Sequence, residues 1–403
     1  MSQSLAGLRV LEMGRIVSAP WSGQTLGDLG ADVIKIERPG VGDDMRSYGP
    51  SYAVDADGRE TPESGHYLCS NRNKRSVTVD ITTAQGQEII RKLAAESDVL
   101  IENYKVGDLA RYGLDYDSLA KINPQLVYCS ITGFGQSGPY AKRPGYDAAF
   151  QGMSGMMAVT GEPDGGPQRV GVFIIDEMTG LYATVAILAA LRHRDAGGGG
   201  QYIDLALLDV GVAAMAPRTI EWTLQGKIPE RLGTKSPGSC PAQVFKCADG
   251  YLNIQAGAEV HYRKLCDALG LEELKEDPRF AVRKDRVLHQ DLLVSLLEEK
   301  IKQRGTRELF DDLVARGVVV APIYQANEVV EDPQVRHREL FFEVPHPTVG
   351  KVPLVKSPMR LSKTPVDTFS APPTIGQHTR QVLTQVLGYS DEQVQSLADS
   401  GAI

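Results

Sequence analysis

The sequence predicts a doubly wound α/β protein with a second, smaller domain. Three observations carry that reading. From Leu8 to Arg194, short apolar runs alternate with helical patterns, as expected for parallel strands joined by crossover helices. After about Arg218 the alternation gives way to a stretch broken by Pro229, Gly233, Pro237, Gly238 and Pro241, followed by a highly charged helical region. The tail from about Leu340 is proline-rich and has few apolar faces of its own, so it is expected to pack back on the first domain. The expected divisions are residues 1–218 and 331–403 for the large domain and 219–330 for the small one.

The elements follow in order. Leu8–Met13 reads as a strand. Ser18 and Pro20 open a helix, proline being tolerated in a first turn, and Gly30 closes it before the strand Asp32–Glu37. This βαβ unit lacks the dinucleotide fingerprint. The turn Gly14-Arg15-Ile16-Val17-Ser18-Ala19-Pro20 has no G-x-G-x-x-G, which argues against a nicotinamide cofactor. Asn71-Arg72-Asn73-Lys74-Arg75-Ser76 reads as a basic turn, able to hold phosphates or simply solvated, ahead of the strand Val77–Asp80. A helix over Ala84–Ala95, a strand over Val99–Glu102, a helical piece ending near Asn123 and a strand over Leu126–Ile131 come next. The loop Thr132–Pro139 follows. Gly197–Gly200 lies after a helix and before the strand Tyr202–Leu205, and reads as a helix stop. Val244–Ile254 forms a hairpin around Asp249-Gly250, His261–Gly317 is helical, and Val318–Ala321 is a strand. The tail carries helices over His378–Leu387 and Asp391–Asp399.

Composition excludes several classes. The 403 residues carry a net charge of −8, so the overall field does not favour nucleic acid. No long apolar run or membrane-surface helix is read. The five cysteines (Cys69, Cys129, Cys240, Cys247, Cys266) show no C-x-x-C spacing, and the seven histidines form no H-E-x-x-H, so neither a disulfide framework nor a metal site is expected. With an N-terminus lacking a signal-peptide core, these features give a cytoplasmic protein as the expectation.

The stretch Arg169–Ala183, R-V-G-V-F-I-I-D-E-M-T-G-L-Y-A, organises the chain. Val170, Val172, Phe173, Ile174 and Ile175 read as a buried strand, and a helix runs from Asp176 to about Arg194. Asp176 would then sit at the carboxyl end of a strand, where ligands bind in parallel sheets. An anionic aspartate at that junction can be a helix cap or a nucleophile.

Seven segments together resemble the class III CoA-transferases, the family of formyl-CoA:oxalate and carnitine CoA-transferases. They are Leu5–Glu12 (L-A-G-L-R-V-L-E), Gly30–Gly40 (G-A-D-V-I-K-I-E-R-P-G), Asn71–Ser76, Glu102–Tyr104 (E-N-Y), Ser130–Tyr140, the Asp176 stretch, and Gly376–Thr379 (G-Q-H-T) with the L-G-Y-S…S-G-A-I end. The resemblance implies a Rossmann-like large domain built from both chain ends, an inserted α+β small domain, and two subunits threaded as an interlocked homodimer. It implies that Asp176 attacks an acyl-CoA thioester, with Asp147 as a supporting acid near it. It places Arg38, Lys74, Arg111 and Arg143 at the CoA phosphates and adenine end, Asn103 and Tyr104 along the nucleotide path, and Val17, Ser18 and Ala19 near pantetheine. CoA thioesters and small carboxylic acids are then substrates and partners, and no tightly bound cofactor is implied.

The sequence departs from the family pattern in two places. The glycine-rich flap region reads Lys235-Ser236-Pro237-Gly238-Ser239-Cys240, with one glycine. Val17 stands where formyl-CoA transferase-like members carry glutamine, which argues against oxalate or formate. The runs Glu37–Pro50 and Arg15–Pro20 look similar to the succinyl-CoA:glutarate transferase subgroup. A C4–C6 dicarboxylate acceptor with succinyl-CoA as donor is therefore expected, with Arg15, Arg46, Arg72 and Arg169 as candidates for a distal carboxylate. One rival is α-methylacyl-CoA racemase, whose G-H-D motif reads Gly145-Tyr146-Asp147 here; tyrosine, with a pKa near 10, is a poor base at pH 7. A non-catalytic CoA-binding protein is the other.

Overall fold

The computed structural model describes residues 3–403. Its centre is a six-stranded parallel sheet. The strands are β1 (Arg9–Glu12), β2 (Asp32–Glu37), β3 (Lys74–Thr78), β4 (Val99–Glu102), β5 (Val127–Thr132) and β6 (Tyr202–Ala206), ordered β3-β2-β1-β4-β5-β6. This is the doubly wound order, and it reverses direction between β1 and β4. Alternate residues of each strand feed two cores. Leu11, Ile34, Val77 and Leu100 face one, while Val10, Val33, Val99 and Val127 face the other. The first core is closed by helix α2 (Ala84–Ala95) and by the tail helices over Thr379–Gln385 and Asp391–Asp399. The second is closed by α1 (Ser18–Asp28) and by the long helix over Ile174–His193.

The described residues form two compact units. The first takes residues up to 156, then 170–217 and 335–403, and the second takes 157–169 and 218–334. The second unit has its own core, including Phe245, Leu252, Tyr262, Leu297 and Leu309, around an antiparallel sheet whose hairpin strands are Ala242–Lys246 and Tyr251–Gln255.

Two sequence expectations need correction. Lys74 and Arg75 lie inside β3 rather than in a turn before it, because each finds a partner there. Lys74 pairs with Glu12, and Arg75 pairs with Asp32. Val170–Phe173 forms no strand. Its backbone is satisfied by a side chain instead: Gln151 Oε1 accepts from Val170 N–H at 2.9 Å, and Gln151 Nε2 donates to the Val172 carbonyl at 3.4 Å. The helix starts at Ile174, two residues ahead of Asp176. We number the helices flanking this region α3 (Asp147–Met153), α4 (Ile174–His193) and α5 (Leu207–Ala214).

Together with its following turn, α4 is long and apolar enough to cross a membrane by length and composition, a feature not read from the sequence. Its inward face is that of a core helix, with Ile175, Ala183, Ile187, Ala190 and Leu191 in the second core. Its contact with α1 is close because Gly180 has no side chain. A Cβ there would lie 2.7 Å from the Ser18 carbonyl oxygen and 2.8 Å from Trp21 Cβ. One turn on, the Ser22 and Thr184 hydroxyls hydrogen-bond at 3.1 Å. Gly180→Ala gains about 0.5–1 kcal/mol of helix propensity but overpacks a backbone contact at a cost of about 1–3 kcal/mol. Urea denaturation is expected to show a net loss of stability, and an unchanged or raised midpoint would contradict this packing account.

Candidate active site

The loops at the carboxyl ends of β1 to β5 surround a cleft of about 480 Å³. Arg15, Ile16 and Ser18 come from the loop and helix after β1, Arg38 follows β2, and Val79–Thr82 follow β3. Asn103, Tyr104 and Lys105 follow β4, Thr132 ends β5, and Gly133, Lys142, Arg143 and Tyr146 follow it. The cleft therefore opens where the strand order reverses, between β1 and β4. Asp176 lines it too, from the first turn of α4.

Asp176 is not the cap of its helix. Asp147, at the start of α3, takes that place: its Oδ1 accepts from Ile175 N–H at 2.7 Å and from Asp176 N–H at 3.2 Å. Gln151 Nε2 in turn donates to Asp147 Oδ2 at 2.5 Å. The Asp176 side chain is left free for the cleft, which Ser18 also lines, and the Ser18 hydroxyl acts to lower its pKa. These helix-start N–H groups are spent on Asp147, so they do not serve as oxyanion donors.

Asp176 is 7% exposed. Burial raises its pKa to about 7, and the like charges of Asp147 and Glu177 push the same way, while Ser18 opposes them. A carboxylate balanced near neutrality has lost much of its hydration yet can still ionise, which suits a nucleophile.

The cleft is basic. Arg38 and Arg15 both pair with Asp44, at 2.7 and 2.8 Å, and Arg111 pairs with Asp108 at 3.0 Å. Arg143 lies over the Tyr140 ring at 3.9 Å, and Arg15 lies over Tyr104 at 5.6 Å. Lys105, Lys142 and Arg143 have no carboxylate partner among the described residues. The sequence reading missed Lys105 and Lys142. Lys105 directly follows Glu102–Tyr104, and Lys142 adjoins Arg143, so adjacency to segments already singled out was the available signal.

Several expected site residues do not reach the cleft. Lys74 is buried, and its ammonium is held by Glu12, Asn71 Oδ1 and the Pro20 carbonyl, each at 2.8 Å; burial lowers its pKa to about 8. Val17 packs with Met45 and Tyr67, and Ala19 sits in the second core. Asn103 lines the cleft, but its amide is spent on Arg15, accepting from the backbone N–H at 2.9 Å and donating to the carbonyl at 2.7 Å. Arg46 is committed to Glu37 through two bonds of 2.8 Å and to the Tyr67 hydroxyl at 2.6 Å. Arg72 forms a buried two-point pair with Asp28. Arg169 is exposed and belongs to the second unit. Of the four arginines considered for a distal carboxylate, Arg15 alone lines the cleft. Among the described residues, no group of three or more metal-ligating side chains comes together.

Comparison with known proteins gives one family. The family model "CoA-transferase family III" matches residues 5–379. The chain is 42% identical over 382 residues to the succinate–glutarate CoA-transferase of Agrobacterium fabrum, covering 95% of each protein. It is 38% identical over 399 residues to the succinyl-CoA:glutarate CoA-transferase of Homo sapiens, covering 99% of this chain and 90% of that one. Among solved structures, a CAIB/BAIF family protein from Brucella suis superposes with a TM-score of 0.86 at 43% identity, covering 96% of this chain and 100% of that chain. With a parallel doubly wound sheet, a cleft at its switch point and a match over most of its length, the chain belongs to CoA-transferase family III.

Proposed function

We propose that this enzyme moves CoA from succinyl-CoA to a C4–C6 dicarboxylate, glutarate foremost, with Asp176 as the nucleophile. One observation carries the reading: a buried carboxylate, relieved of helix capping by Asp147, that lines a cleft together with Arg38, Lys105, Arg111, Lys142 and Arg143. The names of the relatives supply the substrate class.

The chemistry then runs in balanced steps. An Asp176 carboxylate oxygen attacks the succinyl thioester carbonyl, the C–S bond breaks, and a mixed anhydride and CoA thiolate result. The thiolate attacks the aspartyl carbonyl, releasing succinate with the former Asp176 oxygen and leaving an aspartyl-CoA thioester. The acceptor carboxylate attacks that thioester, expelling CoA thiolate and forming a second anhydride. The thiolate takes the acceptor's acyl group and frees Asp176. No water enters, and each step exchanges acyl groups between nucleophiles held close together.

Arg38, Arg111, Arg143, Lys105 and Lys142 offer charge to the CoA phosphates. Arg15 is the candidate for the acceptor's distal carboxylate, exchanging its contact with Asp44 for the ligand. Tyr104 and Ser18 flank the path to the nucleophile.

The interlocked homodimer, with a small domain inserted in the large one, belongs to the same proposal, as does a cytoplasmic location. Support for the dimer comes from the outer face of the first unit. Leu181, Tyr182 and Val185 on α4 and Val212 on α5 are between 47% and 64% exposed, an apolar stripe that favours cover. Threaded subunits separate only on unfolding. Sedimentation at nanomolar concentration is therefore expected to give the dimer mass, and a monomer would contradict the threading.

Transfer is tested with succinyl-CoA and a panel of diacids. Glutarate is expected to be converted to glutaryl-CoA far faster than oxalate or formate, and Asp176→Asn is expected to abolish transfer. Because Asp176 must be ionised and its pKa is raised to about 7, kcat/KM for succinyl-CoA is expected to fall as pH drops below that value. A flat profile down to pH 5, or full activity in Asp176→Asn, would overturn the assignment. Deuterium entering the α-carbon of a 2-methylacyl-CoA without acyl exchange would favour the racemase instead.

A further inference from the structure

We infer that Asp43 is a positioning residue for the nucleophile: it fixes the strained backbone at Ile16, and through it the Ser18 hydroxyl on Asp176. The inference rests on Asp176 being the nucleophile.

The link between β1 and α1 is five residues, Met13–Val17, and it sets where Ser18 stands. Ile16, in the middle, has φ +71°. A β-branched residue in the left-handed region is an outlier whose strain is of order 1–3 kcal/mol, sustained only when surrounding contacts over-determine it. Those contacts are present at four successive backbone groups. The Gly14 carbonyl accepts from Lys35 Nζ at 3.0 Å. Arg15 N–H and carbonyl are both read by Asn103. Ile16 N–H donates to Asp43 Oδ1 at 3.0 Å. Every pin comes from another part of the sheet edge.

Asp43 is itself held on all sides. Its Oδ2 pairs with Lys35 at 2.8 Å, its Oδ1 also accepts from Met45 N–H at 3.0 Å, and its own N–H donates to Glu37 Oε2 at 2.9 Å. Lys35 completes its set with Glu12 at 2.9 Å, and Glu12 continues to Lys74, which holds the Pro20 carbonyl in the first turn of α1. The chain of charges thus grips the loop at Gly14 and Ile16 and the helix at Pro20, on either side of Ser18. Such a fully paired buried network adds little net stability relative to apolar packing, but it fixes geometry. Here the geometry it fixes is that of Ser18, which lines the same cleft as Asp176 and favours its ionised form.

The test is a double-mutant cycle on kcat with succinyl-CoA and glutarate, using Ser18→Ala, Asp43→Asn and the pair. Wild type and Asp176→Asn are run beside it, so that failure of the transferase reading is seen separately. Ser18→Ala is expected to lower kcat by about ten- to a hundredfold, the worth of a hydrogen bond to a charged group. Asp43→Asn is expected to lower kcat comparably with KM for succinyl-CoA within about twofold, since the cations that meet CoA are untouched. The double variant should be no slower than the slower single. Wild-type kcat in folded Asp43→Asn, or losses that multiply in the pair, would overturn the inference. If Asp43→Asn does not fold, the cycle is run in the Ile16→Gly background. Glycine adopts positive φ without strain, so that background is expected to restore folding to Asp43→Asn while its kcat still falls relative to Ile16→Gly alone. No fall there would equally overturn the inference.

Discussion

A helix N-terminus attracts a carboxylate, and this site depends on which carboxylate satisfies it. Asp147 accepts the Ile175 and Asp176 N–H groups, so α4 begins on a residue from α3 and Asp176 is released from the task. The same contact sets the site's electrostatics. Burial raises the Asp176 pKa, and the second carboxylate close to it, Asp147, pushes it further toward neutrality. One interaction therefore starts the helix, frees the Asp176 side chain and adds to the rise in its pKa.

The sheet supplies the rest. The order reverses between β1 and β4, so the loops after these strands part and leave the cleft between them. Arg15, Ile16 and Ser18 stand on one side, and Asn103 and Tyr104 on the other, tied by the Asn103 amide to the Arg15 backbone. Gly180 lets α4 approach α1 closely, and Ser18 and Asp176 both line the cleft. Beneath them, Glu12, Lys35, Asp43 and Lys74 are buried and mutually paired. Removing one partner of such a set costs about 3–5 kcal/mol, whereas the complete set gives little over hydrophobic packing. Its value lies in holding the loop after β1.

Much of the fold was legible because period and punctuation agreed. Asp32–Glu37, Ala84–Ala95, Val99–Glu102 and Asp391–Asp399 fall where apolar spacing and flanking turns put them. The reading failed where tertiary contacts overrode local pattern. Val170–Ile175 looks like a strand, yet Gln151 satisfies its backbone, and its last two residues turn helical under the Asp147 cap. Lys74, Arg46 and Arg72 look like free cations in a one-dimensional reading, but each is absorbed by an acid distant in sequence: Glu12, Glu37 and Asp28. Asp176 stands out in the sequence through its motif, whereas Asp43 and Ile16 do not, since neither a buried pair nor a positive φ leaves a mark in composition.

The central claim, that Asp176 forms the covalent intermediates, has an isotopic consequence. In the scheme above, one carboxylate oxygen passes from the acceptor to Asp176 in each turnover, and one passes from Asp176 to the released acid. The direct measurement is peptide mass spectrometry after turnover with succinyl-CoA and glutarate labelled with oxygen-18 in its carboxylates. Trypsin releases Val170–Arg192, which carries Asp176 and Glu177, and fragmentation separates the two. The account predicts heavy oxygen on Asp176, one atom and then two, with none on Glu177 and none without succinyl-CoA. Sustained production of glutaryl-CoA with Asp176 unlabelled would contradict it.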